Sequence, residues 1–173
     1  MNICIITASH LRIHRVELIQ EAINSVLSAG MKHIVAYSID PTNPLKQGYL
    51  ENLFPSVIFI YSEKRLRQFE HIKNAISYID PNVTHVGFLD DDDILIPRVV
   101  PDLPVVFFNS FYLIIEGLSP VLKKHCEFWQ FYIYPKFLNE FFDEMKNIPI
   151  SGTHDCLFSA WIRGKTSIII NEP

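Results

Sequence analysis

Four short apolar runs, rich in β-branched residues, alternate with amphipathic segments over the first 95 residues, and no other feature restricts the fold so strongly. Ile3 to Thr7, His33 to Ile39, Val57 to Tyr61 and His85 to Leu89 have the near-continuous apolar character of strands buried on both faces. Between them, Val16, Ile19, Ile23, Val26 and Leu27 recur at three- and four-residue spacing and end at Ala29-Gly30. Leu66, Phe69, Ile72, Ala75, Ile76 and Ile79 do the same from Lys64 to Ile79, stopped by Asp80-Pro81-Asn82. Strand-helix-strand alternation predicts right-handed βαβ units, hence an α/β chain with a mostly parallel sheet flanked by helices. Ligands of such sheets bind at the carboxyl ends of strands. Thr7-Ala8-Ser9, Asp40 and the run Asp90–Asp93 stand at those ends, so three polar stations are expected to converge on one edge.

The second half is less periodic. Twelve of the chain's twenty-two aromatic residues fall between Phe107 and Phe142, with Pro104, Pro120 and Pro135 interrupting them. Strands are expected near Val105–Phe108, Tyr112–Ile115 and Thr166–Ile170, and helices over Pro135–Met145 and Thr153–Arg163. A length of 173 residues suits a single domain, and 49% hydrophobic with 20% charged residues suits a packed core rather than a disordered chain. The net charge of −4 and the lack of any long basic block argue against sequence-independent nucleic-acid binding. Cys4, Cys126 and Cys156 follow no ligand or disulfide spacing. Prolines and polar residues break the apolar stretch Val99 to Leu122, so no transmembrane helix is expected. The N-terminus lacks a basic region and a cleavage site, and the expected compartment is the cytosol.

Asp90-Asp91-Asp92-Asp93 directly follows a buried strand, and four adjacent carboxylates repel one another unless a cation or solvent offsets them. Hard divalent ions take such oxygens and keep positions open for phosphate. The competing reading is an acidic turn favouring the start of a helix. There is no GxxxxGK or GxGxxG phosphate loop among the six glycines.

Phe88-Leu89-Asp90-Asp91-Asp92-Asp93-Ile94-Leu95-Ile96-Pro97 resembles the strand, DXD motif and trailing proline of GT-A glycosyltransferases, in particular the family-two-like group. Ile3 to His10 is similar to that family's first strand, and Glu21-Ala22-Ile23-Asn24-Ser25-Val26-Leu27 to its first helix. Gly152-Thr153-His154-Asp155 with Arg163-Gly164 resembles its (E/H)D helix start and following glycine.

The resemblance implies a Rossmann-like GT-A (nucleotide-diphospho-sugar transferase) fold as one domain over 1–173, with 1–97 as the nucleotide-sugar half and 98–173 as the acceptor half, and a longer parent protein is compatible with it. It implies a metal-dependent, inverting transfer from a nucleotide-diphosphate sugar, UDP favoured, to a glycan, glycoprotein or lipid-linked acceptor. Mn²⁺ or Mg²⁺ would be held by Asp90, Asp92 and His154. Thr7, Ala8, Ser9, Asp40, Gln68, Asp90 and Asp91 would contact the nucleotide, Asp40 at the base. Asp155 would be the general base. Each residue has a plainer reading: Asp40 as a turn residue, Asp155 as a helix cap, His154 as a cap-region histidine, and Gln68, His71 and Asn74 as a solvated helix face. Trp129, Tyr132 and Tyr134 are candidates for stacking on a sugar or for the core. A nucleotidyl or phosphoryl transferase, or a non-catalytic nucleotide-sugar-binding module, is the alternative function.

Overall fold

A computed structural model describes residues 1–109, 111–113, 121–123, 127–150 and 154–170. The chain runs β1 (Ile3–Leu11), α1 (Val16–Ser28), β2 (Lys32–Ile39), α2 (Tyr49–Leu53), β3 (Ile58–Ser62), α3 (Gln68–Ala75), β4 (His85–Phe88), β5 (Val105–Phe108), β6 (Phe111–Leu113), β7 (Val121–Lys123), β8 (Phe131–Ile133), α4 (Lys136–Glu144), α5 (His154–Arg163) and β9 (Ile168–Ile170). Seven strands form one sheet in the order β3-β2-β1-β4-β8-β5-β9, and β6 pairs with β7 apart from it. β1, β2, β3 and β4 are mutually parallel, β9 is parallel to β5, and β8 alone runs antiparallel to both its neighbours. The expected α/β, mostly parallel sheet flanked by helices is the observed architecture.

Strand alternation sorts the core into two layers. Ile5 of β1 and Val106 and Phe108 of β5 face α1, meeting Ala22 and Val26. Cys4, Ile6, Ile34, Ala36 and Phe107 face the other way and meet Phe69 and Ile72 of α3, Phe141 of α4 and Phe158 of α5. Phe69, Phe128, Phe141 and Phe158 form an aromatic cluster there, with ring centroids 5.1–6.0 Å apart in the packed pairs. Gly87 of β4 lets this layering close: a Cβ at that position would stand 2.8 Å from the Tyr132 ring and 2.9 Å from Ile5. Tyr132 is therefore core. Tyr134 instead packs edge-on to His85 and donates its hydroxyl to Asp102.

Several expectations are corrected. β1 continues to Leu11, so Ala8, Ser9 and His10 lie within the strand. The helix expected over Lys64–Ile79 is α3 followed by a 3-10 turn, Ile76–Tyr78, and residues 64–67 form an irregular approach to it. α2 and β8 carry too few residues to show a period and were not expected. The strand expected over Tyr112–Ile115 is β6, its last two residues lying outside the described residues, as does Thr153 ahead of α5. The Ala29-Gly30 stop is correct, with Gly30 at φ 69° closing α1. Among the described residues no helix is long and apolar enough to cross a membrane.

His33 makes the fold acid-sensitive. Its ring is buried between β1 and β2, with Nε2 2.9 Å from Thr7 Oγ1, and burial lowers its pKa from 6.5 to about 3. Because the folded value lies below the unfolded one, the stabilisation is complete above pH 6.5 and declines as pH falls through 6.5 toward 3. Between pH 7 and 5 the wild type should lose about 2 kcal/mol relative to His33→Gln, which cannot take up a proton. Urea unfolding of both proteins at the two pH values measures this, and parallel losses would refute it.

Candidate functional site

A cavity of about 730 Å³ opens at the carboxyl ends of β1 and β4. Ser9 and His10 of β1 form one wall, Asp90, Asp91 and Asp92 after β4 the floor, and Gln68 and His71 of α3 the side opposite. Four arginines complete it: Arg12 and Arg15 just beyond β1, and Arg65 and Arg67 on the approach to α3. Arginine forks bind phosphate oxygens bidentately. With four arginines against three aspartates, the lining suits an anion despite the acidic turn.

The aspartates have separate jobs. Asp91 is 6% exposed and accepts hydrogen bonds from Ser9 Oγ at 2.5 Å and Arg15 Nη1 at 2.6 Å. Asp92 is exposed, with the other arm of Arg15 at 3.2 Å. Asp90 accepts from Gln68 Nε2 at 2.8 Å. Burial, and then the charges of Asp93, Asp92 and Asp91, push its carboxyl up to about 7. A carboxyl so strained against ionisation gains from a nearby cation, and oxygen-only donors suit a hard divalent ion. Among the described residues no three His, Cys, Asp or Glu side chains gather as a ready ligand set, so such an ion would need phosphate oxygens to complete its shell.

Beneath the opposite wall runs a polar chain. Asp40 Oδ2 lies 3.4 Å from His10 Nε2, His10 Nδ1 lies 3.0 Å from Ser38 Oγ, and Ser38 Oγ lies 3.4 Å from His71 Nε2. Burial and the Arg65 charge hold His10 below its ordinary value despite Asp40, and burial takes His71 down to about 4. Both rings therefore meet the cavity neutral at pH 7, as donors or acceptors rather than as cations.

The candidates from the sequence separate accordingly. Ala8, Ser9, Gln68, Asp90, Asp91 and Asp92 come together around the cavity. Thr7 is fully buried on His33 and does not line it. Asp40 stands behind His10, its Oδ1 accepting from the Thr42 amide and hydroxyl, and these bonds lower its pKa. His154 is buried in the aromatic cluster, its ring 6.2 Å from that of Phe69 and 6.4 Å from that of Phe141. Asp155 follows it in the first turn of α5, so it is not the cap residue. Its Oδ1 is buried without a hydrogen-bond partner among the described residues. Phe158 and His154 seat α5 against Phe69 and Phe88, next to Gln68 and the start of the acidic turn. Arg67 joins the cavity to this region through Nη1, which donates to the Ile150 carbonyl at 2.8 Å.

The arginines were not anticipated. They form two pairs some fifty residues apart, and only the fold sets the end of β1 beside the approach to α3 and brings them together. The signal available in the sequence was their position just past one strand and just before one helix.

No protein-family model and no curated protein sequence matches the chain. Solved structures do. Staphylococcus aureus TarS 1–349 in complex with UDP matches with a TM-score of 0.64 at 12% identity, over 99% of this chain and 58% of that one. The 4-diphosphocytidyl-2C-methyl-D-erythritol synthase of Anaerococcus prevotii matches with a TM-score of 0.59 at 8% identity, over 99% and 89%. Rv0371C of Mycobacterium tuberculosis, solved as a complex with manganese, matches with a TM-score of 0.55 at 9% identity, over 99% and 89%. This chain thus spans little more than half of the TarS 1–349 structure. The architecture is a GT-A-like fold.

Proposed function

We propose that the chain is the catalytic domain of a metal-dependent, inverting glycosyltransferase that uses a nucleotide-diphosphate sugar, UDP-sugar favoured, and transfers the sugar to a hydroxyl of a glycan, glycoprotein or lipid-linked acceptor. The observation that carries this reading is the arginine-walled cavity over the acidic turn, at the strand ends where this fold binds ligands. Arg12, Arg15 and Arg65 would hold the diphosphate, and Ser9 and the neutral His10 and His71 would orient the nucleoside side of the donor. Asp40 would act through His10, fixing its ring. Asp90 and Asp92 would hold Mn²⁺ or Mg²⁺. When bound, that ion supplies Lewis-acid stabilisation of the negative charge on the departing diphosphate. Asp155 would accept the proton of the attacking hydroxyl. Residues 1–97 supply the donor side of this reading and 98–173 the acceptor side.

A nucleotidyltransferase is the second reading, favoured by the Anaerococcus prevotii match and by the basic pair Arg12 and Arg15 directly after the first strand. Thermal shift with UDP-, GDP- and dTDP-sugars and with UTP and CTP, each with and without Mn²⁺, separates the two. UDP-sugars with Mn²⁺ should raise the melting temperature most. A larger shift with triphosphates, accompanied by pyrophosphate release in the presence of a sugar phosphate, would overturn the glycosyltransferase reading.

A further inference from the structure

Arg15 grips its two aspartates unequally. Asp91 is buried, saturated by Ser9 as well as by Arg15, and close at 2.6 Å, so that half of the contact is an anchor. Asp92 has 43% of its side chain exposed, and its contact with Arg15 is longer, at 3.2 Å. The second arm is thus the one that can be released at little cost, since exposed ion pairs contribute little. The same guanidinium lines the cavity beside Arg12 and faces whatever anion enters. A diphosphate offers it more charge and more acceptor oxygens than a single carboxylate does.

We infer that Arg15 is a latch on the acidic turn: without nucleotide it neutralises Asp92 and keeps a divalent ion out, and a bound diphosphate draws that arm away so that ion and nucleotide bind as a coupled pair. The inference rests on the proposed donor site and adds an order to it. Coupling is reciprocal, so the ion tightens the nucleotide by the same factor as the nucleotide tightens the ion.

Calorimetry and electron paramagnetic resonance of Mn²⁺ with the full chain test this, using the metal alone and with saturating uridine, inorganic pyrophosphate or UDP, at free-ion concentrations corrected for chelation in solution. For the wild type, pyrophosphate and UDP should each tighten Mn²⁺ by about tenfold or more, within the usual range of coupling between sites, and uridine should not. Arg15→Gln should bind Mn²⁺ alone about tenfold more tightly than the wild type and show a smaller UDP effect. Arg15→Lys, whose single ammonium cannot fork across two carboxylates, should fall between them. If both variants are folded by circular dichroism and bind Mn²⁺ alone no better than the wild type, while UDP still recruits the ion in all three, the latch is wrong and the donor-site reading stands. Equal Mn²⁺ affinity of the wild type with and without pyrophosphate also overturns the latch, whatever the variants do. If no protein takes Mn²⁺ even with UDP, the metal reading falls and the latch with it.

Discussion

Asp155→Asn should fold, melt within about 4 °C of the wild type, bind UDP with Mn²⁺ normally and transfer sugar about 10²–10⁴ times more slowly, the usual cost of losing a positioned base. The substitution keeps the side-chain volume and removes the negative charge, and with it the ability to accept a proton at neutral pH. Its position in α5 sharpens the test. Asp155 lies inside the first turn rather than at the cap, so its structural contribution is a charge near the positive end of the helix, about 0.3–1 kcal/mol, beside a side-chain contact with Cys156. Its Oδ1 already lacks a hydrogen-bond partner among the described residues, so an amide forfeits no bond at that atom. A rate loss of several orders therefore cannot come from a damaged fold. Initial rates with any acceptor the wild type accepts, beside a melting curve, settle the matter. Wild-type transfer by Asp155→Asn would remove the base assignment and the inverting mechanism with it.

How much of this was legible from the sequence follows the length scale of each signal. β1, β2, β4, α1 and α4 were readable because each carries its period over enough residues, or an unbroken apolar run, to identify itself. β8 has three residues inside an aromatic block, and it takes its place between β4 and β5 only because Gly87 leaves room for Tyr132. That is a tertiary fit with no local signature. The site divides in the same way. The acidic run is contiguous and visible, and Gln68 was found because it shares a helix face with other polar residues. The four arginines are contiguous only in space. Thr7 shows the opposite error: a polar residue near a strand end looks like a ligand contact, yet here it pairs with His33 inside the sheet.

Within the acidic run the largest stability effect should belong to Asp91, although nothing in the sequence sets it apart from its neighbours. Asp91→Ala would strand the Arg15 guanidinium and the Ser9 hydroxyl, and removing one partner of a fully buried ion pair costs about 3–5 kcal/mol. The Arg15 side chain is 35% exposed, so water takes up part of the uncovered charge and the expected loss is nearer 2–3 kcal/mol, again as an order of magnitude. For a chain of this size that corresponds to a fall in melting temperature of roughly 4–12 °C. Asp92→Ala gives up only an exposed contact and should lie within about 0.5 kcal/mol of the wild type, while losing the Mn²⁺-dependent part of UDP binding. The pair of variants therefore separates the residue that shapes the cavity from the one that faces its ligand. Chemical denaturation and UDP titration with Mn²⁺ or EDTA on both proteins provide the two readouts. If Asp91→Ala is as stable as the wild type, the Ser9–Asp91–Arg15 bridge does not hold the site together, and if Asp92→Ala binds UDP in Mn²⁺ as tightly as the wild type does and loses that affinity in EDTA to the same extent, Asp92 holds no ion.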